Sequence, residues 1–245
     1  MRGQTERKGG SNSGQTLLLP FPFHGGARKG AGRPRSNPRP RVAHAARTTI
    51  DPFEPLFVTA RLRAGLPNVR GGREMAIFWT TLRSRRGRSG FRVIHVSVQA
   101  NHLHAIVEAD SSDALSRGMQ GLLVSLARRW NRLWKRGGPV FDGAYHARPL
   151  ESPREVRGAL VYVLQNGRKH GAVSASALDP CSSAPWFDGW APGCAPPPAA
   201  GSPLPSPRTW LLRAGWRRHG ALDPREYPRS ARCRPRAGLV DLDAG

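Results

Sequence analysis

The stretch "GFRVIHVSVQANHLHAIVEA", Gly90 to Ala109, places two β-branched apolar runs on either side of a short Gln-Ala-Asn turn. Strands joined so tightly can only be antiparallel neighbours, so a β-hairpin constrains everything around it. Upstream, "PLFVTARLR" (Pro55 to Arg63) alternates as a further strand, with Phe57, Thr59 and Arg61 opposite Leu56, Val58 and Leu62. After a Gly-Leu-Pro-Asn turn, Arg70 to Arg86 carries Met75, Phe78, Trp79 and Leu82 at helical spacing. Downstream, "SSDALSRGMQGLLVSLARRWNRLWKRGG" opens on a Ser/Asp cap and closes on Gly137-Gly138. Its Leu115, Met119, Leu122, Leu126, Trp130 and Leu133 form an apolar stripe, and Arg128, Arg129, Arg132 and Lys135 lie opposite. "PVFDGAYHARPL" reads as a strand bent at Gly143. "SPREVRGALVYVLQNGRKHG" then has Ser152 as cap, Pro153 at the first helical position and Gly171 as stop. The order strand, helix, strand, strand, helix, strand, helix predicts an α+β fold: a ferredoxin-like antiparallel sheet with helices packed on it, plus a C-terminal tyrosine-bearing helix.

Three regions follow: a basic arm at 1–50, a folded domain at 51–171 and a Pro/Arg-rich extension at 172–245. The arm is Gly-, Ser-, Arg- and Pro-rich without periodicity and is expected to be disordered, as are the basic tails generally. Within it Gly32-Arg33-Pro34 resembles an AT-hook core, which would carry Arg33 into a DNA minor groove. The extension is expected to be largely irregular, with a short helix at 208–219. There Trp210, Leu211 and Trp216 stand beside five cations, a composition suited to docking on the core or to stacking on unpaired bases.

Lys and Arg number 39 against 16 acidic residues, a formal charge of +23. Such an excess points to a polyanionic partner, because each neutralised phosphate releases counterions. Three cysteines without CxxC spacing indicate neither a zinc knuckle nor a disulfide framework. No apolar run approaches the ~20 residues of a membrane span. A cytoplasmic protein without membrane contact is the expectation.

Within the hairpin, His102 and His104 are two residues apart on one strand. They therefore point the same way, with Cα atoms about 7 Å apart. Two imidazoles so placed can converge on one cation, and zinc would want a third His or Cys. On the last helix Tyr162 and Asn166 are i and i+4, and Lys169 and His170 continue their face. A metal on His102 and His104, with Asn166 as third neutral ligand, would grip a phosphate for attack by Tyr162, with Arg168 and Lys169 supplying positive charge. Tyr145 is the alternative nucleophile and Gln165 the alternative amide ligand. Glu108 shares the histidine face by parity and reads as a solvent-facing acid.

"NHLH" after a strand, followed by a helix bearing Tyr162-x-x-x-Asn166, resembles the single-tyrosine HUH transposases, especially the REP-associated tyrosine transposase branch. The likeness runs from about Pro55 to Gly171. That branch often has Met-Pro before its Asn-His-x-His, where this chain has Gln99-Ala100, and Pro after the helix Asn, where Gly167 stands. The resemblance implies an enzyme that cuts and rejoins single-stranded DNA near hairpins through a 5′-phosphotyrosine. It implies Tyr162 as nucleophile, Mg²⁺ or Mn²⁺ on His102, His104 and Asn166, and action as monomer or homodimer. Arg128, Arg129, Arg132, Lys135, Arg168, Lys169 and Arg33 are the expected DNA contacts. Two other readings use the same residues: a non-catalytic nucleic-acid binder, and another HUH endonuclease such as a relaxase or replication initiator.

Overall fold

A computed structural model describes residues 50–86, 90–174 and 177–228. The chain runs β1 (Leu56–Arg61), α1 (Gly72–Arg83), β2 (Phe91–Val98), β3 (His102–Ala109), α2 (Ser112–Leu133), β4 (His146–Pro149) and α3 (Pro153–Lys169). A short helix α4 (Trp210–Arg213) and a 3-10 turn at Gly215–His219 follow within the extension. The four strands form one antiparallel sheet in the order β2-β3-β1-β4. The arm at 1–49 and its Arg33 lie outside the described residues.

Strand alternation gives the sheet two apolar faces. Leu56, Val58 and Ala60 of β1 and Leu103, Ala105 and Val107 of β3 pack with Phe78 and Leu82 of α1 and with Met119, Leu126 and Trp130 of α2. Phe57, Ile94 and Ile106 face the other way and pack with Val156, Leu160, Val163 and Leu164 of α3. Helices therefore cover both faces, α1 and α2 on one and α3 on the other. Along β2 the register slips between Val93 and His95, so that Val93 pairs with Val107 and His95 with Ile106. This bulge gives β2 one extra residue, Ile94, and turns both Ile94 and His95 toward α3.

Helix boundaries follow their caps. The Ser111 hydroxyl accepts from Ala114 N at 3.1 Å and the Ser152 hydroxyl from Glu155 N at 3.3 Å, each satisfying an amide that the first turn leaves free. Gly171 ends α3 with φ +67°. Helix α2 stops at Leu133, before Gly137, because the Trp134 indole donates to Glu74 Oε1 of α1 at 2.9 Å and Lys135 takes the left-handed conformation at φ 51°. The strand expected over Pro139 to Leu150 is reduced to β4 and an isolated Leu62–Phe141 bridge, with Gly143 bending the chain at φ +69°.

The extension docks tightly. Residues 181–183 pair with the outer edge of β2, Val98 N donating to Cys181 O and Ser183 N to Val96 O, both at 2.9 Å. A sheet edge is thereby covered. Arg70 pairs with the buried Asp179 at 2.8 Å. Asp179 sits so close to α3 that a Cβ on Gly167 would lie 2.2 Å from its Oδ2, which accounts for glycine at that position. Phe187, Leu211, Leu212, Trp216 and Leu222 join the α3 core, and Trp216 is only 1% exposed.

Glu108 is not solvent-facing. It is 4% exposed, and its carboxylate accepts from Arg208 N, Thr209 N and the Thr209 hydroxyl while Arg92 Nε donates to it at 3.2 Å. One buried acid thus ties β3 to the start of α4. Replacing Glu108 with Ala strands three donors and a partly buried guanidinium, and is expected to lower stability by about 3 kcal/mol in urea denaturation. Protease cleavage should accelerate around residues 200–220; an unchanged urea midpoint would refute this role.

Candidate active site

The face of β3 that meets α3 carries His102, His104, Ile106 and Glu108 in alternation. Ile106 supplies the packing, and the two histidines lie toward the strand's start. Their rings are 4.7 Å apart. Strand β1 brings Thr59 opposite His104 and Arg61 opposite His102. The Thr59 hydroxyl shares a 2.9 Å hydrogen bond with His104 Nδ1, and His102 Nδ1 donates to Asn101 Oδ1 at 2.7 Å. Each imidazole is thus oriented through one nitrogen and keeps the other for the site.

Helix α3 supplies the remaining groups at one-turn intervals. Tyr162 Oη lies 3.4 Å from His104 Nε2. Two turns further, the His170 ring stands 5.3 Å from that of His102. Asn166 falls between Tyr162 and His170 in the helix, one turn from each. It is fully buried, and neither its oxygen nor its nitrogen has a hydrogen-bond partner in the protein. A buried amide without partners is uncommon and calls for a group that satisfies it. Phe57 braces the site, stacked on His104 at 5.3 Å and edge-on to Tyr162 at 5.8 Å.

Positive charge and low polarity set the electrostatics. Burial, then the charges of His170, Arg61 and Lys169, lower the His102 pKa to about 4. Burial, then the charges of His102, His170 and Lys169, lower that of His104 to about 3. Both rings are therefore neutral near pH 7, with lone pairs available. Burial raises the Tyr162 pKa above its ordinary value, so the resting phenol keeps its proton. The Lys169 ammonium sits 5.1 Å over the phenol ring.

These residues fit a divalent ion: two neutral imidazoles and an amide oxygen whose desolvation has no protein compensation. Among the described residues no three His, Cys, Asp or Glu are grouped to hold a metal. A wholly neutral ligand set would leave the ion's full charge for an anionic substrate.

Of the residues singled out by sequence, His102, His104, Tyr162 and Lys169 are brought together, and Asn166 stands one helical turn from Tyr162. The alternatives fall elsewhere. Tyr145 packs against the core on the α1/α2 face, and the Gln165 amide donates to Asp223 O at 2.9 Å, toward the extension. Arg168 is not a free DNA contact: its guanidinium donates to Pro224 O and Glu226 O and so fastens the extension to α3. Arg128, Arg129 and Arg132 line a shallow cleft on α2 with Arg85, across the sheet from the histidines, and Lys135 is exposed just beyond that helix. Thr59, Arg61, Asn101 and His170 went unassigned by sequence. Parity already put Thr59 and Arg61 on the side of Phe57, and only the β1–β3 register puts them beside the histidines.

No family model matches the chain, and no curated protein does. A solved structure described as a REP-associated tyrosine transposase bound to a REP hairpin aligns with a TM-score of 0.47 and 17% identity, over 65% of this chain and 92% of that one. The likeness is a distant structural relationship, and function rests on the chain's own residues. No helix among the described residues is long and apolar enough to cross a membrane.

His102, His104 and the half-buried His95, whose pKa burial lowers to about 4, all titrate lower in the folded chain than the ordinary 6.5. The unfolded chain therefore takes up protons first. Stability is complete above pH 6.5 and falls as pH drops toward 4. Urea midpoints in EDTA at pH 7.5 and 5 should show this fall, and His104→Gln should make it shallower; equal slopes in the two proteins would contradict it.

Proposed function

We propose that the protein is a metal-dependent DNA strand transferase that cleaves and rejoins single-stranded DNA near hairpins, with Tyr162 as nucleophile. The observation that carries this reading is the 3.4 Å approach of Tyr162 Oη to His104 Nε2 within one chain, with an orphaned buried amide one helical turn further along α3. The βαββαβ succession with its strand order supports the ferredoxin-like architecture expected from sequence. The His-x-His and Tyr-x-x-x-Asn motifs support the resemblance to single-tyrosine HUH transposases.

His102, His104 and Asn166 would hold Mg²⁺ or Mn²⁺. When bound, the ion supplies Lewis-acid polarisation of the scissile phosphate and fixes its orientation. The phenol oxygen of Tyr162 attacks phosphorus, a bond from that oxygen to phosphorus forms, and the bond from phosphorus to the 3′ oxygen breaks. The proton lost by the phenol is balanced by the one gained on the departing 3′-hydroxyl. Phosphodiester energy is kept in the 5′-phosphotyrosine, so a second 3′-hydroxyl can rejoin the strand without ATP. Burial holds Tyr162 protonated at rest, and Lys169, whose ammonium lies over the ring, favours the phenolate as it forms. Tyrosine acts in its own subunit on this reading.

The α2 arginines would hold flanking DNA through phosphates, outside the reacting centre. A purely binding protein would use the same arginines but give no role to the Asn166 amide.

Incubation with hairpin-bearing single-stranded DNA and Mn²⁺ is expected to give a denaturation-resistant protein–DNA adduct, absent in EDTA and in Tyr162→Phe. An adduct of equal yield in Tyr162→Phe would overturn the assignment. Thr59→Val, which removes only the partner of His104 Nδ1, is expected to weaken Mn²⁺ binding by about 10- to 100-fold in calorimetric titration.

A further inference from the structure

Residues 208–220 hold Arg208, Arg213, Arg217, Arg218 and His219 and no acidic residue. Folding sorts this segment sharply. Leu211, Leu212 and Trp216 enter the core against α3, while all five cationic side chains point outward. Trp216 thereby accounts for docking. Trp210 does not: it is 51% exposed and forfeits much of the gain that burying an indole brings. Its ring is nonetheless held in place. A Cβ at Gly215 would come within 2.7 Å of the indole, so the ring lies against bare backbone, and the Arg218 guanidinium stacks over it 4.8 Å from the ring centre. Arg217, stacked over Trp216 at 4.6 Å, has its guanidinium 3.4 Å from Asp188, and both charged groups are exposed, so this pair is readily displaced by phosphate.

The segment's place in the fold adds to this. It packs on α3, and Arg157 of that helix donates to Gly220 O and Ala221 O. It therefore lies on the same side of the sheet as Tyr162, whereas the α2 arginines lie on the other. A positioned, half-exposed indole with one arginine stacked on it and further exposed arginines in the same short segment has the chemistry of a stacking platform with phosphate partners. Duplex DNA keeps its base faces stacked internally and cannot use the ring.

We propose that Trp210, with Arg213, Arg217 and Arg218, binds unpaired nucleotides of single-stranded DNA, a base stacking with the indole and the arginines meeting the flanking phosphates. This deepens the proposed function by naming a holding site for single strand outside the reacting centre, and rests on that reading only for its biological use.

The test uses the full chain carrying Tyr162→Phe, in EDTA, so that neither metal nor chemistry contributes. Binding of a labelled fifteen-nucleotide oligo(dT) and of a duplex of equal length is followed by fluorescence anisotropy. Trp210→Ala should raise the Kd for oligo(dT) about 5- to 100-fold and change duplex binding less than twofold. Trp210→Phe should retain most of the affinity. Arg218→Ala should weaken oligo(dT) binding and flatten its salt dependence. The proposal is overturned if Trp210→Ala, with an unchanged melting temperature, binds oligo(dT) like its parent. It is overturned equally if both DNAs weaken alike, which would make the segment a general cationic patch, or if binding tightens, which would mean that another part of the chain occupies the ring. Loss of the adduct in the native protein leaves all these outcomes intact, so the two readings fail separately.

Discussion

The seating of α3 on the sheet is the contact on which the site depends. Its apolar residues Val156, Leu160, Val163 and Leu164 are drawn onto Phe57, Ile94 and Ile106 by the ordinary hydrophobic effect. That placement, rather than any polar attraction, delivers Tyr162 to His104. Phe57 shows the coupling in one residue, since its ring belongs to this core and also touches both His104 and Tyr162. The extension closes on the helix from its other side through Arg157, Gln165 and Arg168, so α3 is gripped along most of its length. Such over-determination fixes the phenol relative to the imidazoles.

Two faces of one sheet carry different chemistry. The α1/α2 face is a dry core roofed by a helix whose outer surface is arginine-rich. The α3 face has a polar end, where the imidazoles and the phenol meet, and an apolar end under α4. Glu108 and His95 mark how the second end is finished. Both are polar residues spent on holding the extension: Glu108 on the start of α4, and His95 on Ser183, whose hydroxyl lies 3.3 Å from its Nδ1. Alternation along β3 thus reads from the imidazole pair to a structural anchor within one strand.

Much of this was legible in the sequence wherever local rules decide. Hairpin length, the Ser152 cap, Pro153 and the Gly171 stop placed the elements correctly, and strand parity put both histidines on one face. What local rules cannot reach is pairing between distant segments. Glu108 looks solvent-facing until Thr209, a hundred residues on, supplies its donors. Arg168 looks like a DNA contact until the carbonyls of Pro224 and Glu226 claim it. The extension has no periodicity to read because its apolar residues contact α3 singly, from turns. The β2 bulge is silent in sequence for a similar reason, since one inserted residue leaves composition unchanged.

The most direct test of the account is pulsed electron paramagnetic resonance of Mn²⁺ added to the protein, read for nitrogen couplings. The account predicts couplings from two imidazole nitrogens, reduced to one in His104→Ala, with the ion's signal altered when hairpin-bearing single-stranded DNA is added to the Tyr162→Phe chain. Mn²⁺ that binds without any imidazole nitrogen coupling would contradict it.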